Sequence, residues 1–105
     1  MTDSPINFNG LDSTVHGPIR LGVLTALQID GALDFTTLKK RLEVADGALG
    51  IHLGKLDDIG YVTCRKKFVG KRPKSTYTIT KKGRQALAGY LDAMQAVINA
   101  MKQAN

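Results

Sequence analysis

Apolar residues recur at intervals of three and four along the first sixty positions of the chain, which is the spacing of one helix face. Capping and breaking residues divide the pattern into three stretches, and we predict helices over 17–29, 36–43 and 47–59. Gly17-Pro18 suits the start of the first helix and Asp30-Gly31 its end. Asp46 is expected to cap the third helix and Gly60 to terminate it.

After Gly60 the pattern changes to runs rich in β-branched and aromatic residues, at 61–69 and 75–80. The segment Gly70-Lys71-Arg72-Pro73-Lys74 separates the two runs. Such runs on either side of a Gly/Pro segment favour a β-hairpin with a basic loop.

A heptad-like stripe then predicts a long helix from about Lys81 to Gln103. Its apolar positions are Leu87, Tyr90, Leu91, Met94, Val97, Ile98 and Met101. At ~1.5 Å per residue this helix exceeds the length that a small domain needs to cover its core. We expect these positions to form a dimer interface, with packing onto the first helix of the same chain as the alternative.

At 105 residues the chain is long enough for one domain with a modest core, but not for a roomy catalytic cleft as well. We expect no enzymatic activity, because no phosphate-binding loop, nucleophile elbow or metal-protease motif is present. Cys64 is the single cysteine, which excludes an internal disulfide framework. The N-terminus does not resemble a signal peptide, and no apolar run is long enough to span a membrane, so we expect a cytoplasmic protein.

Charge is distributed very unevenly along the chain. The formal net charge is +6, yet nine of the fifteen Lys and Arg residues and none of the nine acidic residues lie between Ile59 and Leu91. A solvated face is the plain explanation of a short basic run. Nine uncompensated cations around a turn favour a polyanionic partner, of which nucleic acid is the obvious candidate.

Within the third predicted helix, three leucines occupy the inward face and leave Ala48, Ile51, His52 and Lys55 on the outward face. The glycines at 47, 50 and 54 weaken this helix by roughly 1 kcal/mol each if they are interior. Glycine and alanine at its start permit close approach to a partner but provide few hydrogen-bonding groups.

The order of elements is that of a winged helix-turn-helix, and particular segments resemble the MarR/ArsR-like winged-helix transcriptional regulators, especially small dimeric ones. The resemblance covers about residues 12 to 100. It rests on 16–21 (HGPIRL), 35–39 (FTTLK), 46–49 (DGAL), 52–56 (HLGKL), 60–62 (GYV) and 68–77 (FVGKRPKSTY), with Thr80 and Gly83-Arg84.

This resemblance implies a mainly α fold with a small β-hairpin (α+β), and a homodimer that binds double-stranded DNA and regulates transcription. It divides the chain into a flexible arm at 1–11, a DNA-binding unit at 12–80 and a dimerisation helix at 81–105. It also implies that the third helix lies in the major groove and the wing on the backbone or in the minor groove. The expected DNA contacts are Ala48, Ile51, His52 and Lys55 from the helix, and Arg65, Lys67, Lys71, Arg72 and Lys74 from the wing.

The start of the second helix provides a further candidate contact to phosphate. Thr36, Thr37 and Lys39 lie where a helix N-terminus favours an anion, although plain capping explains them equally well. Arg72, beside Pro73, is the candidate to probe the minor groove, where a narrow A·T-rich stretch attracts its charge.

Several alternatives stay open. The same fold could serve as a protein-interaction module that binds an acidic partner, and RNA binding is less favoured because Phe35, Tyr61, Phe68, Tyr77 and Tyr90 are typical of core or interface positions. We expect no metal and no cofactor, since the two histidines and one cysteine lack metal-ligand spacing. Cys64, followed by three basic residues, could act as a redox sensor, although a structural strand residue is the simpler interpretation. A small-molecule effector, the operator sequence and the sign of regulation are not determined by these patterns.

Overall fold

A computed structural model describes residues 10–104 of the chain. Its elements follow in the order α1 Pro18–Asp30, β1 Leu33–Asp34, α2 Phe35–Leu42, α3 Asp46–Ile59, β2 Val62–Val69, β3 Arg72–Ile79 and α4 Lys81–Gln103. The prediction of a winged helix-turn-helix with a hairpin and a long C-terminal helix is therefore confirmed. Residues 1–9 of the predicted N-terminal arm lie outside the described residues.

Glycines set the helix ends much as the sequence predicts. Gly31 and Gly60 have φ values of 81° and 89°, a region that other residues enter only with strain, and each follows the last residue of its helix. The prediction for Asp46 is wrong in detail, because Ala45 occupies the N-cap position without a side-chain bond. Asp46 is instead the first helical residue, where its carboxylate lies at the positive end of α3 and forms an ion pair with Lys39 at 2.7 Å.

The hairpin joins a third strand in an antiparallel sheet of order β1-β3-β2. The sequence analysis missed β1 because two residues are too few to show a period. Leu33 pairs with Tyr77, so this short strand connects the end of α1 to the middle of the sheet.

Strand β3 begins three residues earlier than predicted. Val69 pairs with Arg72, which leaves only Gly70 and Lys71 in the loop. Gly70 has a φ of 66°, as the first central position of a type II′ turn requires. Pro73 argued against a strand in the sequence, yet β3 tolerates it, because β1 covers β3 only at positions 76 and 77 and leaves the edge open at Pro73.

The core lies where α1, α3 and the start of α4 meet the base of the sheet. Its buried members are Val15, Val23, Leu24, Ala26, Leu27, Leu38, Leu49, Leu53, Leu56, Tyr61, Val62, Ile79, Leu87 and Tyr90. At the junction of sheet and α4, the Thr80 hydroxyl donates to the Gly60 carbonyl (2.6 Å) and accepts from the Gly83 amide (3.0 Å). This bond caps α4 and fixes its direction relative to α3.

The molecule is elongated, measuring 64 Å along its longest axis and 25 Å across. No helix within residues 10–104 has the combination of length and hydrophobicity that a transmembrane segment requires. The surfaces that extend from the core are therefore the wing and the distal half of α4.

Candidate nucleic-acid interface

The outward face of α3 has an unusually flat surface. Gly47, Gly50 and Gly54 lie on it, and a Cβ atom added at any of the three would have no neighbour within 4 Å. Ile51 lies among them with 63% of its surface exposed, and Lys55 is also exposed. The helix backbone can therefore approach a partner closely, with the Ile51 side chain as its main apolar projection.

His52 lies on the flank of α3 that contacts α1, and Ala48 is half-buried. Arg20 Nε in α1 donates a hydrogen bond of 2.9 Å to His52 Nδ1. Because Nδ1 accepts, the neutral imidazole carries its proton on Nε2 and can offer one donor outward. The sequence spacing identified His52, whereas the restraint by Arg20, 32 positions away, follows only from the tertiary structure.

The strand register separates the basic residues of the wing between its two faces. Because side chains alternate along a strand, Arg65 and Lys67 in β2 share one face with Arg72 and Lys74 in β3. Lys66 projects from the opposite face, and Lys71 lies in the turn. Four of the five predicted wing contacts thus lie together, and we call these four residues the cationic face.

Like charges meet directly across the ladder on the cationic face. Lys67 pairs with Lys74, an arrangement that weakens an isolated sheet. Within residues 10–104 the only carboxylate within ion-pair distance of these four side chains belongs to Asp34, 3.5 Å from Lys74. An external anion would relieve this repulsion.

Asp34 also occupies the start of α2, where the sequence placed a candidate phosphate contact. Its carboxylate accepts a hydrogen bond of 2.7 Å from the Thr37 amide, and this bond, with the charge of Lys74, holds the pKa of Asp34 below its ordinary value. Lys39 pairs with Asp46, whereas Thr36 is exposed. Capping by Asp34, which the sequence analysis missed, thus satisfies part of this site; an aspartate just before a helix is a signal that could have revealed it.

An open cleft of about 460 Å³ separates α3 from the other face of the wing. Its lining includes Gly50 and Gly54 from α3, Cys64 and Lys66 from β2, and Tyr77 from β3. Burial raises the pKa of Tyr77 to about 12, with a further contribution from the neighbouring Cys64 thiol. The cleft lets a chain of phosphates pass between helix and wing only beside Lys66.

The stripe predicted for dimerisation divides into two parts along α4. Leu87 and Tyr90 are buried in the chain's own core, where the Tyr90 hydroxyl lies 2.9 Å from His16 Nδ1. The remaining positions are half-buried or exposed, namely Leu91, Met94, Val97, Ile98 and Met101. Beyond Tyr90 no described residue of α4 is fully buried.

The expectation that Phe68 belongs to a core or interface is wrong with respect to the core. Its ring is 73% exposed near the end of β2, next to Val69, which is 58% exposed. The sequence pattern could not show this, because the buried part of the sheet ends at its base.

Comparison with known proteins agrees with this geometry. Residues 19–98 match the winged helix DNA-binding domain family, and the chain belongs to that family. An uncharacterized protein of Methanocaldococcus jannaschii is 36% identical over 73 residues, which are 70% of this chain and 79% of that protein.

Solved structures of transcriptional regulators share the fold. A transcriptional regulator homologue from Pyrococcus horikoshii superimposes with a TM-score of 0.78 at 27% identity, covering 88% of this chain and 92% of the other. Bacillus subtilis PadR, solved in complex with operator DNA, gives 0.62 at 26% identity and covers 67% and 44% of the two chains. HlyU from Vibrio cholerae gives 0.60 at 28% identity, covering 71% and 77%. The predicted resemblance to MarR/ArsR-like winged-helix regulators is confirmed.

Proposed function

We propose that this protein is a homodimeric transcriptional regulator that binds specific sequences of double-stranded DNA. The observation that carries the proposal is the cationic face, where Arg65, Lys67, Arg72 and Lys74 converge with almost no intramolecular compensation. The family match supports DNA as the polyanion that neutralises this face.

In this proposal α3 enters the major groove with its glycine-lined face toward the bases. Ile51 makes apolar contact, for which a thymine methyl group is the natural partner in the major groove. Lys55 reaches a phosphate or a base acceptor, Ala48 lies against the groove wall, and His52 offers its Nε2 proton from the flank.

The cationic face and Lys71 bind phosphates beside the groove, with Arg72 positioned to reach the minor groove. At the start of α2, the exposed Thr36 hydroxyl completes the backbone contacts, and Thr37 and Lys39 keep the helix end in place. Affinity then depends mainly on phosphates, and sequence preference on α3.

The dimer forms through the distal half of α4, where Leu91, Met94, Val97, Ile98 and Met101 leave an apolar stripe without a described partner. Pairing of two such helices about a two-fold axis covers the stripe. Two recognition helices then lie about one DNA turn apart, roughly 34 Å, so the operator is an inverted repeat.

Fluorescence anisotropy with duplex DNA at a series of salt concentrations tests the proposal. With six to ten phosphate contacts, affinity is expected to fall on the order of 10³- to 10⁵-fold between 50 and 200 mM salt. Lys67→Gln with Lys74→Gln should reduce the slope of log affinity against log salt by about 1 to 2. Lys102→Gln, which removes a charge at the far end of α4, is the matched control.

Two results would contradict the proposal. Binding of an acidic protein with no binding of duplex at low salt would favour the interaction module, and tighter binding of RNA than of duplex would favour an RNA-binding function. Selection from a random duplex pool should return an inverted repeat, whereas a single asymmetric site would argue against the dimer.

A further inference from the structure

The wing ends in two exposed apolar side chains, Phe68 and Val69, at the last two positions of β2. Single exposed apolar residues are ordinary on protein surfaces. These two differ because they lie at the tip of a hairpin of two eight-residue strands, beside Lys67, Lys71 and Arg72. An apolar tip within a ring of cations suits a partner that is anionic at its rim and apolar inside.

The register assigns Phe68 to the wing face that looks toward α3. Positions 64, 66 and 68 of β2 share one face, and Cys64 and Lys66 line the cleft beside α3. Val69 projects from the other face, together with the cations. A duplex that contacts both α3 and the wing therefore meets the Phe68 ring from the side on which α3 lies.

Pro73 holds the ring in place from across the ladder. It pairs with Phe68, and because proline has no amide hydrogen this position cannot exchange both ladder bonds. Side chains of such non-hydrogen-bonded pairs lie closest together, so the two rings pack against each other at the tip. A ring that is already supported loses little conformational freedom when it inserts into a partner.

We propose that Phe68 enters the minor groove beside the α3 site and wedges its ring against a base step, bending the duplex. This inference rests on the proposed binding of duplex DNA. The minor groove combines two rows of phosphates with a floor of sugars and base edges, which matches cations around an apolar side chain. Apolar wedges of this kind partly unstack a step, and pyrimidine–purine steps yield most easily.

Phe68→Ala, Phe68→Leu and Val69→Ala test the proposal on a selected duplex. All three sites are exposed, so the unfolding midpoint should not change. Phe68→Ala should weaken binding about tenfold or more through the lost burial of the ring, and Phe68→Leu less. The salt slope should remain that of the wild type, because no phosphate contact is removed. Val69→Ala should bind as the wild type does.

Bending and unstacking provide the readout that a merely structural role would not change. Energy transfer between labelled duplex ends should report a bend that is lost in Phe68→Ala and kept in Val69→Ala. 2-Aminopurine at the contacted step should brighten with wild-type protein and not with Phe68→Ala.

The outcomes separate this inference from the proposed function. If the wild type binds duplex with a steep salt slope and Phe68→Ala matches it in affinity and bending, the wedge is overturned and the DNA-binding function stands. If the wild type fails to bind duplex, both fall. Phe68-dependent binding to phosphatidylglycerol vesicles in place of duplex would overturn the wedge in favour of a membrane partner.

Discussion

The glycines on the outward face of α3 allow stability and DNA affinity to be separated in one experiment. Gly50→Ala with Gly54→Ala adds two methyl groups to a helix surface where no described atom lies within 4 Å of either Cβ. Neither glycine has a positive φ, so alanine adopts the same backbone without strain. Alanine is favoured over glycine in a helix interior by about 1 kcal/mol, and the pair should therefore stabilise folding by about 2 kcal/mol.

The same two methyl groups should weaken DNA binding, because they hold the helix backbone away from the groove. A loss of one good contact, about 1.4 kcal/mol, corresponds to tenfold weaker affinity. Thermal unfolding should show a midpoint about 10 °C higher, and anisotropy with a selected duplex should show at least the tenfold loss.

Gly89→Ala in α4 is the matched control, since its Cβ also has no neighbour within 4 Å and it lies in another helix. It should raise the unfolding midpoint by about 5 °C and leave DNA affinity unchanged. A double variant of α3 that is less stable than the wild type would refute the open geometry of this face. A variant that is more stable and binds DNA normally would refute the close approach of α3 to the bases.

Three further outcomes are expected. Gly83→Ala should destabilise the fold by about 3 kcal/mol, because its Cβ would collide with the Tyr61 carbonyl oxygen, a backbone atom that cannot rotate away; an unfolding midpoint within a few degrees of the wild type would contradict this packing. Burial alone raises the pKa of Asp12, but hydrogen bonds from the Tyr61 hydroxyl (2.6 Å) and nearby amides outweigh it and hold the pKa below 3.8. The resulting stability is present above about pH 4 and is lost as pH falls through the lowered pKa, so Asp12→Asn should be less stable by about 1 to 2 kcal/mol in urea at pH 7 and close to the wild type near pH 2. Ile98→Asp with Met101→Asp should leave a folded monomer in sedimentation equilibrium, since both side chains are exposed within one chain, and a persistent dimer would place the interface elsewhere.

The cationic face connects the charge pattern to the fold. Lys67 and Lys74 are seven positions apart in the sequence, and the two-residue turn places them opposite each other. Their repulsion weakens the free wing and is relieved on binding an anion. Replacing one of the two should therefore weaken DNA binding without weakening the fold.

The helices could be predicted from sequence because their signals are local. The leucine spacing defines the buried face of α3, and Gly31 and Gly60 end α1 and α3 through a backbone conformation that glycine adopts without strain. The location of the positive charge was equally visible, since an excess of cations over 59–91 does not depend on folding.

The tertiary structure decided which of these residues can act together. Whether a wing cation lies on the same face as Arg72 depends on the register, which the two-residue turn at Gly70 fixes and which proline in β3 concealed. The length of the core likewise decided that Tyr90 is buried and Met101 exposed, although both lie on one heptad stripe. Periodicity gives the face of an element on which a residue lies, but only the packed chain determines where along the element burial ends.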